Sequence, residues 1–112
     1  MMRRLMLASA FVLAATAGQA AEAIEGNWKT ASGETATIAE CGGAYCITLK
    51  TGQHAGKKIG RLAGSNGRYA GEITDPAADK TYSGTGSVSG NSLQMKGCVL
   101  KILCKSQTWT KL

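Results

Sequence analysis

Gly97-Cys98-Val99-Leu100-Lys101-Ile102-Leu103-Cys104-Lys105-Ser106-Gln107-Thr108-Trp109-Thr110-Lys111-Leu112 stands at the C-terminal end of the sequence. It holds two of the four cysteines, one of the two tryptophans and the densest apolar and β-branched run outside the N-terminus. The pattern predicts a turn clamped by Cys98 and Cys104, then a final strand over 104–111. That strand needs a partner. Gly26-Asn27-Trp28-Lys29-Thr30, the first alternating segment after the N-terminal apolar run, is the candidate. Antiparallel pairing of the two would place Gly26, Trp28, Gln107 and Trp109 at the seam of a closed sheet.

Between these ends the chain shows no sustained helical periodicity. It reads as short alternating segments, with strand candidates at 26–30, 34–40, 45–51, 58–63, 68–74, 80–88, 92–98 and 104–111. Turn chemistry separates them: Ala31-Ser32-Gly33, Gly42-Gly43, Ser65-Asn66-Gly67, Asp75-Pro76-Ala77-Ala78-Asp79 and Gly90-Asn91. Asn-Gly and Gly-Gly supply the positive φ that tight hairpins require. Alternation gives each strand a dry face, with Ala36 and Ile38, then Tyr45, Ile47 and Leu49, then Tyr69, Gly71 and Ile73, then Tyr82, Gly84, Gly86 and Val88, then Leu93 and Met95. One wet and one dry face per strand is an antiparallel signature. Eight strands joined by hairpins predict an all-β, up-and-down antiparallel barrel, because closure removes both exposed edges. An eight-strand interior is just wide enough for packed side chains or one small ligand. Gly84 and Gly86 on the inner face allow part of that interior to collapse.

The N-terminus points to export. Arg3 and Arg4 precede a mostly apolar run over 5–17, and small residues follow, which is the layout of a signal peptide over 1–23 with its helical apolar core. Cleavage is expected after Ala20 or after Ala23, leaving one domain over 24–112. The run is shorter than the roughly 20 residues that cross a bilayer, so no stable membrane anchor is expected. Loss of Arg3 and Arg4 takes the basic residues from 13 to 11, against 7 acidic ones. That balance favours solubility and loose attraction to anions and defines no partner.

A domain of this size has a marginal core, and exported domains of this kind add disulfides. Four cysteines allow three pairings. Cys41 with Cys46, and Cys98 with Cys104, each bracket a turn and are the favoured local pairs. Longer links would constrain the unfolded chain more, roughly 4 kcal/mol for a loop of about sixty residues against about 2.2–2.4 for six or seven, but only where the Cα atoms meet. The C-x4-C and C-x5-C spacings with a single histidine do not make a zinc site. No metal and no cofactor are expected.

Gly26-Asn27-Trp28, Cys41-Gly42-Gly43-Ala44-Tyr45-Cys46, Ile73-Thr74-Asp75-Pro76 with Asp79-Lys80-Thr81-Tyr82, and the Gly97-Cys98 to Gln107-Thr108-Trp109-Thr110 block occur in an order that resembles the bacterial domain-of-unknown-function family 2147. The resemblance covers nearly all of the mature chain. It implies a lipocalin-like, calycin-type barrel, a periplasmic location and no assigned activity. Longer members carry an Asp- and Asn-Pro-rich insertion where this chain has only Gln53-His54-Ala55-Gly56. Gly26-x-Trp28 is also similar to the first-strand signature of lipocalins, in which the Trp covers one barrel end beside a late basic residue. Lys111 or Lys105 is the candidate for that cation–π partner.

No residue pattern fixes a reaction. His54 stands in a polar loop without a neighbouring acid, and no serine sits in a nucleophile elbow, so no catalytic residue and no enzyme is expected. Asp75, Asp79, Lys80 and Tyr82 form the most distinctive polar cluster. They read either as a ligand-orienting rim or as a hairpin turn with Asp75 bonded to the turn backbone. Lys57-Lys58-Ile59-Gly60-Arg61 is a solvated basic face rather than a nucleic-acid platform, for Tyr69 is the one aromatic near it. The expected ligand-binding residues are Tyr45, Tyr69, Asp75, Lys80 and Tyr82. The expected function is a monomeric periplasmic binding module for a small apolar or amphipathic ligand. The alternative is a barrel that binds an envelope protein, such as an inhibitor of a secreted hydrolase.

Overall fold

The computed structural model describes residues 22–99 and 103–112. Most of the signal peptide expected over 1–23, including the candidate cleavage site after Ala20, and residues 100–102 lie outside the described residues. The described chain is all β. Its strands are β1 (Gly26–Lys29), β2 (Thr35–Glu40), β3 (Tyr45–Leu49), β4 (Lys58–Ser65), β5 (Arg68–Asp75), β6 (Lys80–Ser89), β7 (Ser92–Val99) and β8 (Leu103–Lys111). Each pairs antiparallel with the next, and β1 pairs with β8, so the meander closes into a barrel. The seam is short: Trp28 lies opposite Lys111 and Lys29 opposite Thr110. Of the four residues expected at the seam only Trp28 is in these pairs: Gly26 pairs with Ile38 of β2, and Trp109 and Gln107 lie lower on β8, opposite Leu93 and Met95 of β7.

The turns follow the chemistry of their residues. Asn66 and Gly67 both hold positive φ (56° and 85°), the two-residue geometry whose twist matches the flanking strands. Asp75 Oδ1 accepts the N–H groups of Ala77 (3.0 Å) and Ala78 (3.4 Å), so this carboxylate shapes the β5–β6 turn. Both disulfides are local, Cys41–Cys46 and Cys98–Cys104. Arg61 donates from Nη2 to the carbonyl of Gly42 at 3.2 Å, pinning the first disulfide loop to β4.

The inward faces follow the alternation, with one departure. Between β3 and β4 the register shifts, Ile47 facing Gly60 while Thr48 faces Lys58. Ile59 is the extra residue, and both it and Gly60 are buried. Such a bulge bends its strand and re-aims a side chain, here adding an isoleucine to the interior from within the basic stretch.

Hairpin connectivity gives the barrel two unlike ends. The N-terminal segment, the Cys41–Cys46 loop, the Asn66-Gly67 turn and the C-terminus gather at one end. Loops 30–34, 50–57 and 76–79 and the end of the β7–β8 hairpin gather at the other. The first end is filled. Trp28, Ile24, Ile38, Ile47, Leu62 and Leu93 have their side chains fully buried there or in the waist beside it. Each such side chain contributes about 1.5–3 kcal/mol through burial. Ile24 belongs to no strand. It folds in front of β1 and its carbonyl accepts the indole N–H of Trp28 at 2.9 Å, a bond buried in the core.

Lys111 completes this cap. Its Nζ sits 4.7 Å from the centroid of the Trp28 ring and donates to the carbonyl of Glu25 at 2.6 Å. Of the two lysines proposed for this contact, Lys105 lies toward the opposite end, in register with Gly97.

Candidate functional site

At the other end the interior opens. A cavity of about 410 Å³ lies in the mouth of the barrel, above the packed waist. Leu49, Ile59, Ile73, Met95 and Trp109 make its apolar floor and walls, while Glu34, Gln53, His54, Lys105 and Gln107 ring its polar side.

Gly97 is the glycine that lines this cavity. Gly71, Gly84 and Gly97 lie side by side on β5, β6 and β7, at one level of the inner wall. The methyl end of Ile73 rests on Gly84, and Tyr82 leans toward Gly97. A larger residue at Gly97 would enter the mouth, whereas the space over Gly71 is taken by the β4 backbone at Arg61 and that over Gly84 by Ile73. Across β8, Lys105 lies opposite Gly97 and Gln107 opposite Met95, so both polar side chains stand on the inward-facing register. Gln107 Oε1 accepts the Trp109 indole N–H at 3.0 Å, which fixes the ring that forms part of the floor.

The expected ligand residues divide between the two ends. Asp75 and Tyr82 line the mouth, Asp75 with one carboxylate oxygen already engaged by its turn. Lys80 pairs with Asp75 in the strand register but is not part of the cavity wall. Tyr45 and Tyr69 lie at the capped end, their rings packed edge to face at 5.6 Å. Tyr69 donates its hydroxyl to Glu22 at 2.7 Å. Burial, and then Glu22, hold the Tyr69 phenol above its ordinary value. Tyr45 is raised as well, by desolvation and by the carboxylates of Glu22, Glu25 and Glu40. These two phenols belong to the cap because β3 and β5 both begin at that end. Alternation assigns a face and says nothing about height along the barrel.

Sequence reasoning missed Lys105, Gln107, Gln53 and His54 as neighbours. The signal available was the inward register of β8, where Lys105, Gln107 and Trp109 share one face, and the placement of loop 50–57 after β3 at the open end. Loop 50–57 contributes Gln53 and His54 to the rim.

Fold and cavity together define a class: a small closed antiparallel barrel, plugged at one end and hollow at the other. No curated protein and no solved structure matches the chain. Residues 48–111 match the family model described as "Uncharacterized protein conserved in bacteria (DUF2147)", and the chain belongs to that family. The match begins inside β3 and runs through β8, so it spans the strands that carry most of the mouth.

Proposed function

We propose that this protein is an exported, periplasmic barrel of the lipocalin-like type that holds a small amphipathic molecule in its mouth without transforming it. The carrying observation is the cavity of about 410 Å³ set over an apolar floor and under a polar rim. Ligand pockets of small-molecule binders run from about 300 Å³ upward and combine apolar lining with a few placed polar groups. An apolar tail lies against Met95, Leu49, Ile59 and Trp109, and a polar head reaches Lys105, Gln107, Gln53 or His54. Export is supported by the leader-like N-terminus and by two disulfides, which persist in oxidising compartments. The lipocalin-like assignment is supported by the Gly26-x-Trp28 strand start with Lys111 over the indole.

One observation favours a second reading, a protein partner. Because β1 ends at Lys29, the outer edge of β8 from Leu103 to Trp109 has no strand beside it among the described residues. Leu103 at the mouth is 73 % exposed. An unpaired strand edge can accept an extended segment of another chain.

Native mass spectrometry on protein purified gently from the periplasm separates the two. A retained small mass supports the pocket, and a co-purifying protein supports the edge. A bare chain that also takes up no fatty acid or lysophospholipid contradicts the pocket.

A further inference from the structure

Both sites at the leader boundary, Gly18-Gln19-Ala20 and Ala21-Glu22-Ala23, meet the small-residue requirement of leader cleavage. The fold distinguishes them. We infer that cleavage falls between Ala20 and Ala21, because residues 22–25 form a strap that completes the capped end, with Glu22 as its latch. This rests on the export reading above.

Six side-chain hydrogen bonds make the strap. Glu22 Oε1 accepts the Tyr69 hydroxyl at 2.7 Å and the backbone N–H of Asn66 at 3.2 Å. Glu25 Oε2 accepts the backbone N–H of Glu22 at 3.2 Å, which curls the strap on itself. Lys111 Nζ lies 3.4 Å from the carbonyl oxygen of Ala23 and 2.6 Å from that of Glu25. Ile24 is completely buried and accepts the Trp28 indole bond.

Cleavage after Ala23 would undo this arrangement. It removes Glu22, so the Tyr69 hydroxyl and the Asn66 N–H lose their acceptor. It also turns the Ile24 nitrogen into an ammonium beside Lys111, whose Nζ loses the Ala23 carbonyl as a neighbour. Two like charges so placed repel each other. Cleavage after Ala20 keeps every one of these contacts and sets the new charge beyond Glu22.

The full-length chain with its own leader, produced in a bacterial host with a periplasm and recovered from that fraction, is analysed by intact mass with the disulfides kept. The expected product begins at Ala21 and is short of four hydrogens for its two disulfides. A product beginning at Ile24 overturns the inference alone, whereas a chain that keeps its leader overturns it together with the export reading. The same chain carrying Glu22→Gln tests the latch. It is expected to be cut at the same bond, to melt several degrees lower, and to show the Tyr69 phenol titrating closer to its ordinary value. An unchanged phenolate titration would show that Glu22 holds nothing.

Discussion

Replacing Trp28 by Phe removes one hydrogen bond from the centre of the cap and leaves a smaller ring in its place. The indole N–H donates to the Ile24 carbonyl at 2.9 Å inside the core, and Phe leaves that carbonyl without a donor. A buried polar group orphaned in this way costs about 1–3 kcal/mol. The smaller ring adds a partial void, about 1 kcal/mol by analogy with loss of a methyl or two. It also weakens the attraction to Lys111, whose Nζ lies 4.7 Å from the ring centroid and which is worth about 0.5–2 kcal/mol depending on desolvation. The expected loss is about 2–4 kcal/mol, a large share of the roughly 5–15 kcal/mol that stabilises a single domain. At about 4–8 °C per kcal/mol for a domain of this size, the melting temperature falls by roughly 8–32 °C. Thermal and urea unfolding followed by circular dichroism, with both disulfides oxidised, measure it. Lys111→Met in the same series gives the coupling through a double-mutant cycle, expected at about 0.5–2 kcal/mol. A Trp28→Phe protein within about 0.5 kcal/mol of the parent, or additive single mutants, would refute the account of the cap.

Three further outcomes follow from other parts of the molecule. A Cβ on Gly71 would meet the backbone carbonyl of Arg61, whereas one on Gly97 makes an ordinary 3.5 Å contact with Tyr82. Gly71→Ala should therefore lower the urea midpoint markedly, while Gly97→Ala leaves it unchanged or slightly raised, since Gly within a strand gives up roughly 0.5–1 kcal/mol to Ala. Removing the Cys98–Cys104 bridge with paired serines should cost about 2 kcal/mol by loop entropy; a change in unfolding free energy near zero would show that the hairpin is held without it. The Tyr69 phenol is raised above its ordinary value near 10. Its contribution is fully present below pH 10 and is lost as pH rises through the folded value, because the unfolded chain releases the proton first. Stability should fall in the alkaline range, and fall less steeply in Tyr69→Phe, as read by unfolding at stepped pH.

Most of the wall was legible from residue order. Alternation at Ala36 and Ile38, at Ile47 and Leu49, and at Leu93 and Met95 assigns inner faces that the structure keeps, because the two-residue period of a strand leaves a side chain only two choices. Asn66-Gly67 marks a turn that scarcely any other dipeptide adopts as readily. The seam between Trp28 and the end of β8 was legible too, as the only way for eight hairpin-linked strands to lose their edges.

What escaped had no period to reveal it. Ile24 lies before the first strand, so its complete burial arises from a fold-back held by Trp28 and Lys111 rather than from alternation. The bulge at Ile59 breaks the period inside a basic run, where the isoleucine looked like part of a charged surface. The site was harder still. Tyr45 and Tyr69 share the inner face with Tyr82 but sit at the far end, and Asp75 is drawn into its own turn. Gly97 and Lys105, which make and line the mouth, come together only once β7 and β8 are set side by side.

The two indole N–H groups give the most direct test of a barrel plugged at one end and open at the other. Trp28 is locked in the cap and Trp109 forms the floor of the mouth, so two-dimensional 15N NMR during titration with a fatty acid, a lysophospholipid and an envelope lipid extract reports the two ends separately. Saturable movement of the Trp109 indole signal with a stationary Trp28 signal, abolished by Gly97→Leu at an unchanged melting temperature, is the predicted result. Movement of Trp28 instead, or no saturable movement of either signal with any of the three, would contradict it.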